Sequence, residues 1–410
     1  MSALYLPPSP ITREAAVRSA GALTEPDTDL APRIEALLAS LAQPLDPAAA
    51  LRALIDARLD RLPLPGSGRT LDRWRALARV ARHDLVLAKL YEGHTDALAI
   101  LAELGASAFE DDVPALWGVW CAEPPNARVV AHATGAHADA VRGGEVRGGE
   151  VNLQGTKAWC SGAGVVTHAL ISAWNTDRQP VLVAADLRQP SVSIDEDGWR
   201  AVGMGRSGSY SVILDGAVAR RVGAPGAYVA RPGFLQGGAG VAACWYGGLE
   251  GIAQALRRSL DQKAGRSASE AAAPPELAHA LAHLGAVDVA LTQARASLRE
   301  AAHHIDSHPD RPAGPSAARA RLAVEAAARD VLDRVPRALG AGPLCHDRAL
   351  AQALADLPVF IRQSHAERDL AAHAWQLLKD PAKEDPSCGT EDRSWSCLLY
   401  TSDAADEGLG

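Results

Sequence analysis

Residues 155–162 (Gly-Thr-Lys-Ala-Trp-Cys-Ser-Gly) hold the side chains whose types and spacing point most directly to chemistry. The segment lies between a polar, glycine-rich run and an apolar run, so we predict a β-strand that enters a turn. Lys157, Trp159 and Ser161 alternate, which places them on one side of a pleated strand. An indole beside a hydroxyl can hold a planar heterocycle. The alternative is a tryptophan of the core with Ser161 in the following turn.

Two further segments concentrate polar groups. Residues 203–210 form a glycine- and serine-rich loop that contains Arg206 and leads into an apolar run. Such a loop can direct main-chain N–H groups at an anion, or it can simply approach a hairpin. Residues 364–369 place His365 among charged side chains. They can do chemistry, or they can form a charged helix face in which His365 pairs with Asp369.

Two other patterns carry no chemistry. Gly238, Gly240 and Ala243 have the spacing of a dinucleotide-binding fingerprint, but no apolar strand precedes them and further helix follows. We therefore exclude a Rossmann unit. His279 and His283 lie four residues apart without the glutamate of a zinc-protease motif or a third ligand, so we expect no metal.

Composition narrows the class of protein. The chain has 410 residues, of which 48% are apolar, enough for a large core and more than one domain. Its net charge of −8 without a basic run argues against nucleic acid as a partner. We predict no membrane span and no secretory signal. The six cysteines, which are scattered without a C-x-x-C pair, fit a reducing cytoplasm, and they are Cys121, Cys160, Cys244, Cys345, Cys388 and Cys397.

The order of elements predicts an α+β fold. Residues 1–29 are irregular, and residues 30–113 form an N-terminal helical domain in which Asp46 caps one helix and Thr70 another. The sequence Glu-Gly-His-Thr at 92–95 breaks the helix that starts near Thr70. Residues 114–235, with short apolar runs between glycine, proline and asparagine, form a middle antiparallel, barrel-like β-domain. A repeated Arg-Gly-Gly-Glu-Val at 142–151 suits a hairpin connection.

Helical periodicity returns in the last part of the chain. Residues 236–386 form a C-terminal four-helix bundle, whose fourth helix spans 347–378 with a kink at Pro358. Residues 387–410 lack any periodicity and are predicted to be a non-native tail.

This order of domains, with its motifs, resembles the acyl-CoA dehydrogenase family of flavoproteins over residues 30–380. Residues 157–162 are similar to the family's flavin motif in the middle domain. Residues 117–124, ending in Glu-Pro, resemble the strand before it, and residues 203–218 its Gly-x-Arg-x-Ser stretch. Residues 339–342 look like the turn between the third and fourth bundle helices.

The resemblance implies FAD as the cofactor. Trp159 would lie against the isoalloxazine ring, and the Ser161 hydroxyl would reach its N5 side. The cofactor-binding residues so implied are Trp120, Cys121, Ala122, Trp159, Ser161, Gly340 and Gly342, and the substrate-binding ones are Arg206 and Ser207. Because the adenosine end of FAD extends to a neighbouring subunit in this family, a homodimer or homotetramer is implied.

The chain departs from the family pattern at three places. Residues 122–128 lack the threonine and serine that hold the flavin, and residues 260–268 lack the arginine box for its pyrophosphate. The catalytic glutamate is replaced by Gln-Ser-His-Ala at 363–366. His365 and the nearby Glu367 are therefore the candidate catalytic bases.

The leading functional hypothesis is a cytoplasmic, FAD-dependent oxidoreductase of the acyl-CoA dehydrogenase type in fatty acid metabolism. It would act on the CH–CH group of an acyl-CoA or acyl-carrier thioester and pass electrons to a transfer acceptor. The alternative is a flavin-dependent monooxygenase on the same fold, in which a histidine replaces the glutamate base. A third hypothesis is a non-catalytic, flavin-binding paralogue.

Overall fold

The computed structural model describes residues 30–106, 114–134, 141–142, 145–146, 149–265, 275–311 and 313–379. The predictions for residues 1–29 and for the tail at 387–410 lie outside these ranges. The chain divides into two compact units, Met1–Ser364 and His365–Gly410. None of the described helices is long and apolar enough to cross a membrane.

The N-terminal helices are α1 (Leu30–Ser40), α2 (Pro47–Asp56), α3 (Thr70–His83) and α4 (Leu85–Glu103). Asp46 caps α2 as predicted, since its carboxylate accepts from the N–H of Ala48 at 3.1 Å. The predicted break at residues 92–95 is wrong, because α4 continues through them. The helices are separated instead at Asp84, whose carboxylate accepts from the N–H of Leu87 at 2.8 Å.

The start of α3 is capped from a distant part of the chain. Thr70 is the first residue of the helix and not its cap, so that prediction is wrong. The carboxylate of Asp306 accepts from the N–H groups of Gly68 and Thr70, both at 3.0 Å, and from the Thr70 hydroxyl at 2.6 Å. A carboxylate at the N-terminus of a helix accepts hydrogen bonds from the first N–H groups, which have no partner within the helix. Its negative charge also interacts favourably with the positive end of the helix dipole.

The described strands form a small barrel and a separate two-stranded hairpin. They are β1 (Trp117–Trp120), β2 (Val129–Ala133), β3 (Val141–Arg142), β4 (Glu145–Val146), β5 (Glu150–Cys160), β6 (His168–Asn175), β7 (Pro180–Asp186), β8 (Val192–Asp195) and β9 (Tyr210–Val222). Pairings β6–β2, β2–β5, β5–β9, β9–β7 and β7–β6 close a ring, to which β1 and β8 add at the side. β3 and β4 pair as a hairpin at the repeated segment.

The barrel is not antiparallel throughout, which corrects the prediction. β6 runs parallel to β1 and to β2. The connection from β1 to β6 passes through the strands between them and is long enough to return the chain to the same direction. Along β5, Val151 and Leu153 are buried while Asn152 and Gln154 are exposed, the alternation of a strand with one face in the core.

The C-terminal helices of the first unit are α5 (Ala227–Ala230), α6 (Gly233–Gly265), α7 (Ala278–Ser307), α8 (Gly314–Leu339), α9 (Ala341–His346) and α10 (Arg348–Phe360). Gly238 and Gly240 lie inside α6, which leaves no place for a strand–turn–helix fingerprint. Gly247 lets α6 cross α3 closely, because a Cβ there would lie 2.1 Å from the carbonyl oxygen of Ala78.

The predicted fourth bundle helix is not continuous, which is a further correction. α10 ends at Phe360, and Pro358 lies within it without ending it. A 3₁₀ turn follows, and Glu325 on α8 accepts hydrogen bonds from Arg362 and from the Ser364 hydroxyl. These tertiary bonds hold the backbone at Ser364 extended, so the helical period of the sequence is overridden. In the second unit, α11 spans Glu367–Lys379.

Candidate functional site

A strand bulge turns Trp159 outwards. The register between β5 and β9 shifts between Lys157 and Cys160, and Trp159 has a left-handed φ of 58°. Its side chain is 61% exposed, whereas that of Lys157 is fully buried. The prediction that both lie on one side of the strand is therefore wrong, because a bulge interrupts the alternation. The exposure also excludes the alternative in which Trp159 belongs to the core. A non-glycine residue in this conformation is costly and is found preferentially at functional sites.

Lys157 is buried under the bulge and pairs with the partly exposed Glu123. Its Nζ donates to Glu123 Oε1 at 2.6 Å, to the Ser172 carbonyl oxygen at 2.9 Å and to Ser172 Oγ at 2.7 Å. All three ammonium donors are satisfied, as a buried charge requires. Glu123 also accepts from the hydroxyl of Ser172 and from the indole N–H of Trp174.

The ion pair affects the titration of Glu123. Partial burial of this carboxyl opposes ionisation, but the hydrogen bonds from Lys157 and Ser172 and the charge of Lys157 outweigh it. The net result is a pKa of Glu123 below its ordinary value, so the carboxylate is ionised at neutral pH.

A second link joins the same two segments. The indole N–H of Trp120, at the end of β1, donates to the main-chain oxygen of Ser161 at 3.1 Å. Together with the Lys157–Glu123 pair, it fixes residues 120–123 against residues 157–161. The segments that the sequence predicted to share one ligand are thus brought together by two side-chain bonds.

Cys121 and Ala122 lie between these two links and follow the end of β1. Among the described residues, no hydrogen bond involves their main-chain N–H or C=O groups. Open main-chain groups at the edge of a site are available to a ligand. Burial raises the pKa of the Cys121 thiol to about 11, which favours the protonated thiol at neutral pH.

Ser161 belongs to a chain of three hydroxyls. Its Oγ lies 2.9 Å from Ser209 Oγ, which lies 2.8 Å from Ser207 Oγ. The N–H of Gly162 donates to the main-chain oxygen of Ser207 at 2.7 Å and holds the loop against the turn after β5. The sequence missed Ser209, because nothing local indicates a contact across 48 positions.

The loop before β9 is engaged within the protein. The Arg206 guanidinium donates to Asp84 Oδ2 at 2.6 Å and to the Leu45 carbonyl oxygen at 3.2 Å. The N–H of Met204 donates to Asp356, whose pKa burial raises. The substrate-binding role of Arg206 and Ser207 stays a prediction, and their contacts favour the structural alternative.

The remaining predicted residues lie elsewhere along the chain. Gly340, with a φ of 71°, joins α8 to α9, and Gly342 lies in α9. His365 and Glu367 lie in the second unit, where both are exposed and His365 Nδ1 is 3.4 Å from Asp369 Oδ1. Their cofactor and catalytic roles stay predictions.

Two cavities adjoin the site. One of about 10 Å³, the size of a single water, lies beside Ser161, Leu90 and Gly93. The other, of about 210 Å³, is lined by Trp120, Val166 and other largely apolar side chains. Its volume exceeds the roughly 150 Å³ that holds a benzene molecule in an engineered protein cavity.

Solved structures of flavin-dependent enzymes share this fold. TdsC from Paenibacillus sp. A11-2, a dibenzothiophene monooxygenase solved with FMN and indole, has a TM-score of 0.65 at 17% identity, covering 89% of this chain and 97% of that chain. The methanesulfinate monooxygenase MsuC from Pseudomonas fluorescens has a TM-score of 0.65 at 17% identity, covering 87% and 98%. KijD3, in complex with FMN and a dTDP-linked amino sugar, has a TM-score of 0.64 at 20% identity, covering 91% and 96%.

These likenesses establish the fold. It is a mixed α+β fold with a small barrel in the middle, consistent with the acyl-CoA dehydrogenase-like fold. No protein-family profile and no curated protein sequence matches the chain. Structural similarity alone therefore supports the fold assignment, and a shared fold does not determine the reaction, which depends on the residues of the site.

Proposed function

We propose that this chain is a flavin-dependent monooxygenase that transfers one oxygen atom from dioxygen to a small organic substrate. The observation that carries the proposal is the exposed indole of Trp159, held by a strained bulge in a segment that two side-chain bonds join to residues 120–123. It occurs in a fold shared with enzymes solved with FMN. FMN is accordingly favoured over the FAD that the sequence predicted.

The residues present fit an isoalloxazine ring. Such a ring has two flat faces, which an exposed indole can cover, and a polar edge that needs hydrogen-bond partners. Main-chain groups of Cys121 and Ala122 would bind the pyrimidine edge, and the Ser161 hydroxyl would face N5. The Lys157–Glu123 pair and the Trp120–Ser161 bond hold these groups in place before the ligand arrives.

Reduced flavin, when bound, would supply two electrons and two protons to dioxygen; one oxygen atom enters the substrate and the other leaves as water. Trp159 would exclude water from one face of the ring and so protect that chemistry. The proton-transfer role of His365, with Glu367 as the second candidate, stays a prediction from the sequence.

Monooxygenation is preferred to acyl-CoA dehydrogenation for two reasons. Dehydrogenation needs a base for the α-proton, and residues 363–366 carry no carboxylate where the resemblance implies one. The three compared enzymes are described by oxygenation or FMN binding, and none of those descriptions includes an acyl thioester. The sequence's alternative hypothesis is thus better supported than its leading one.

Flavin binding is the first test. The purified chain is titrated with FMN and with FAD while the flavin absorbance and fluorescence are followed. Trp159→Ala should weaken binding by roughly 5- to 150-fold, because a stacked aromatic contact is worth about 1–3 kcal/mol. Trp375→Ala is a matched control, since Trp375 in α11 is 58% exposed and Trp159 61%. No uptake of either flavin by the unmodified chain would refute the proposal.

Turnover is the second test. The chain is supplied with FMN, an NADH-dependent flavin reductase and ¹⁸O₂, together with a panel of aromatic and organosulfur compounds. Incorporation of one ¹⁸O atom into a product supports monooxygenation. Anaerobic bleaching of the bound flavin by an acyl-CoA, with no ¹⁸O product, would instead establish the dehydrogenase.

A further inference from the structure

The three serine hydroxyls form one connected path from the interior to the proposed flavin edge. Ser207 is 2% exposed and Ser209 is 9% exposed, whereas Ser161 is only half-buried and borders the small cavity. The Oγ–Oγ distances of 2.9 and 2.8 Å are those of two hydroxyl hydrogen bonds. Ser161 comes from the turn after β5, and the other two come from the loop before β9.

Counting protons gives this path a direction. Each hydroxyl has one proton, so the three protons exceed the two links by one. Within the described part of the chain, no other group bonds these Oγ atoms. A spare proton on Ser207 or Ser209 would be a buried donor without an acceptor, which disfavours those arrangements by roughly tenfold. The favoured order is Ser207 to Ser209 to Ser161, with the spare proton on Ser161.

We propose that Ser209 is a positioning residue, which orients the Ser161 hydroxyl as a hydrogen-bond donor towards the ligand. The inference rests on the proposed function, which places Ser161 at the N5 edge of the flavin. N5 accepts a hydrogen bond when the flavin is oxidised, and it carries a proton and donates when the flavin is reduced. Ser161 would therefore match the oxidised form.

The mismatch with reduced flavin has a chemical consequence. To accept from N5–H, Ser161 must turn its own proton away from N5. Within the path, that proton has an acceptor only if the direction reverses and a buried serine keeps the spare proton. Reduced flavin is thereby destabilised relative to oxidised flavin, which makes it a stronger electron donor to dioxygen. Ser209 would thus lower the stability of reduced flavin relative to oxidised flavin without contacting it, because it sets the direction of the Ser161 hydroxyl.

The test compares affinities for oxidised FMN and for FMN reduced with dithionite under anaerobic conditions, measured by fluorescence or absorbance titration. Ser209→Ala removes the donor to Ser161 and leaves space beside it for a water, which can accept the Ser161 proton when the flavin is reduced. The ratio of the two affinities should then shift by roughly tenfold towards reduced FMN relative to the unmodified chain. Ser209→Thr keeps the hydroxyl and should restore the original ratio. Ser207→Ala should also retain it, because the spare proton would still be buried on Ser209 if the path reversed.

Each outcome is decisive. A ratio in Ser209→Ala within twofold of the unmodified chain, while both bind FMN, overturns the role of Ser209 and leaves the proposed function standing. Failure of the unmodified chain to bind either form overturns the proposed function and this inference with it. If Ser209→Ala does not fold, Ser161→Ala, which removes the oriented donor itself, must shift the ratio in the same direction.

Discussion

The pairing of the buried Lys157 with the partly exposed Glu123 allows a quantitative prediction about stability. Glu123→Gln keeps an acceptor oxygen but removes the negative charge that faces a fully buried ammonium group. Removing one partner of a buried pair costs about 3–5 kcal/mol. Because Glu123 is 34% exposed and the amide still accepts from Lys157, we expect about 2–3 kcal/mol here.

Lys157→Met should cost less, about 1–2 kcal/mol, because the remaining carboxylate reaches water while a remaining ammonium cannot. In the double variant both charges are gone, so the two costs should not add. We expect a coupling free energy of about 1–2 kcal/mol in favour of the double variant.

The assay is urea unfolding at pH 7 of the four proteins in the cycle, followed by tryptophan fluorescence and far-UV circular dichroism. Coincident transitions are required before free energies are compared. Equal costs for the two single variants, with simple additivity in the double variant, would refute the account of a buried charge held by Glu123.

The same pair predicts a dependence on pH. Since the pKa of Glu123 lies below its ordinary value of 4.5 in the folded chain, its contribution is present above pH 4.5. It is lost as the pH falls through the lower folded value. The stability difference between the unmodified chain and Glu123→Gln should therefore shrink below pH 4.5, and a difference that grows there would contradict the assignment.

Two further substitutions test the packing around the site. Asp306→Ala should lower the free energy of unfolding by about 1–2 kcal/mol, because α3 loses its cap, whereas Asp288→Ala at an exposed position of the same helix α7 should change it little. Thermal unfolding measures both, and equal melting temperatures would show that the cap contributes nothing. Gly203→Ala should cost roughly 1–3 kcal/mol, because its Cβ would lie 1.9 Å from the carbonyl oxygen of Ala355. A Cβ at Gly205 meets nothing within 4 Å, so similar losses for Gly203→Ala and Gly205→Ala would rule out the steric explanation.

Sequence reasoning succeeded where the determining interactions are local. Short apolar runs between turn residues gave the strands, and Asp46 before Pro47 gave a helix start, because a cap acts over two or three positions. It failed at Thr70, whose helix is capped by a residue 236 positions away. It also failed at residues 361–364, where bonds to Glu325 override helical periodicity.

In the candidate site, too, local features could be predicted from the sequence and long-range contacts could not. Trp159 and Ser161 could be chosen from their types and from their place at the end of a strand. Their orientation could not, because the bulge arises from the register with β9, where Cys160 pairs with Tyr210. Likewise Glu123 is noticeable beside a proline, but its bond to Lys157 is set by the closure of the barrel.

The cap on α3 also bears on how the chain is synthesised. Residues 68–70 are synthesised long before Asp306, so the first N–H groups of α3 lack this acceptor in the nascent chain. Until α7 has emerged and docked, the N-terminal helices must rely on their own weak propensity or on a chaperone. Truncation products that end before residue 306 are therefore expected to be poor at folding and prone to proteolysis, even when every residue of the barrel is present.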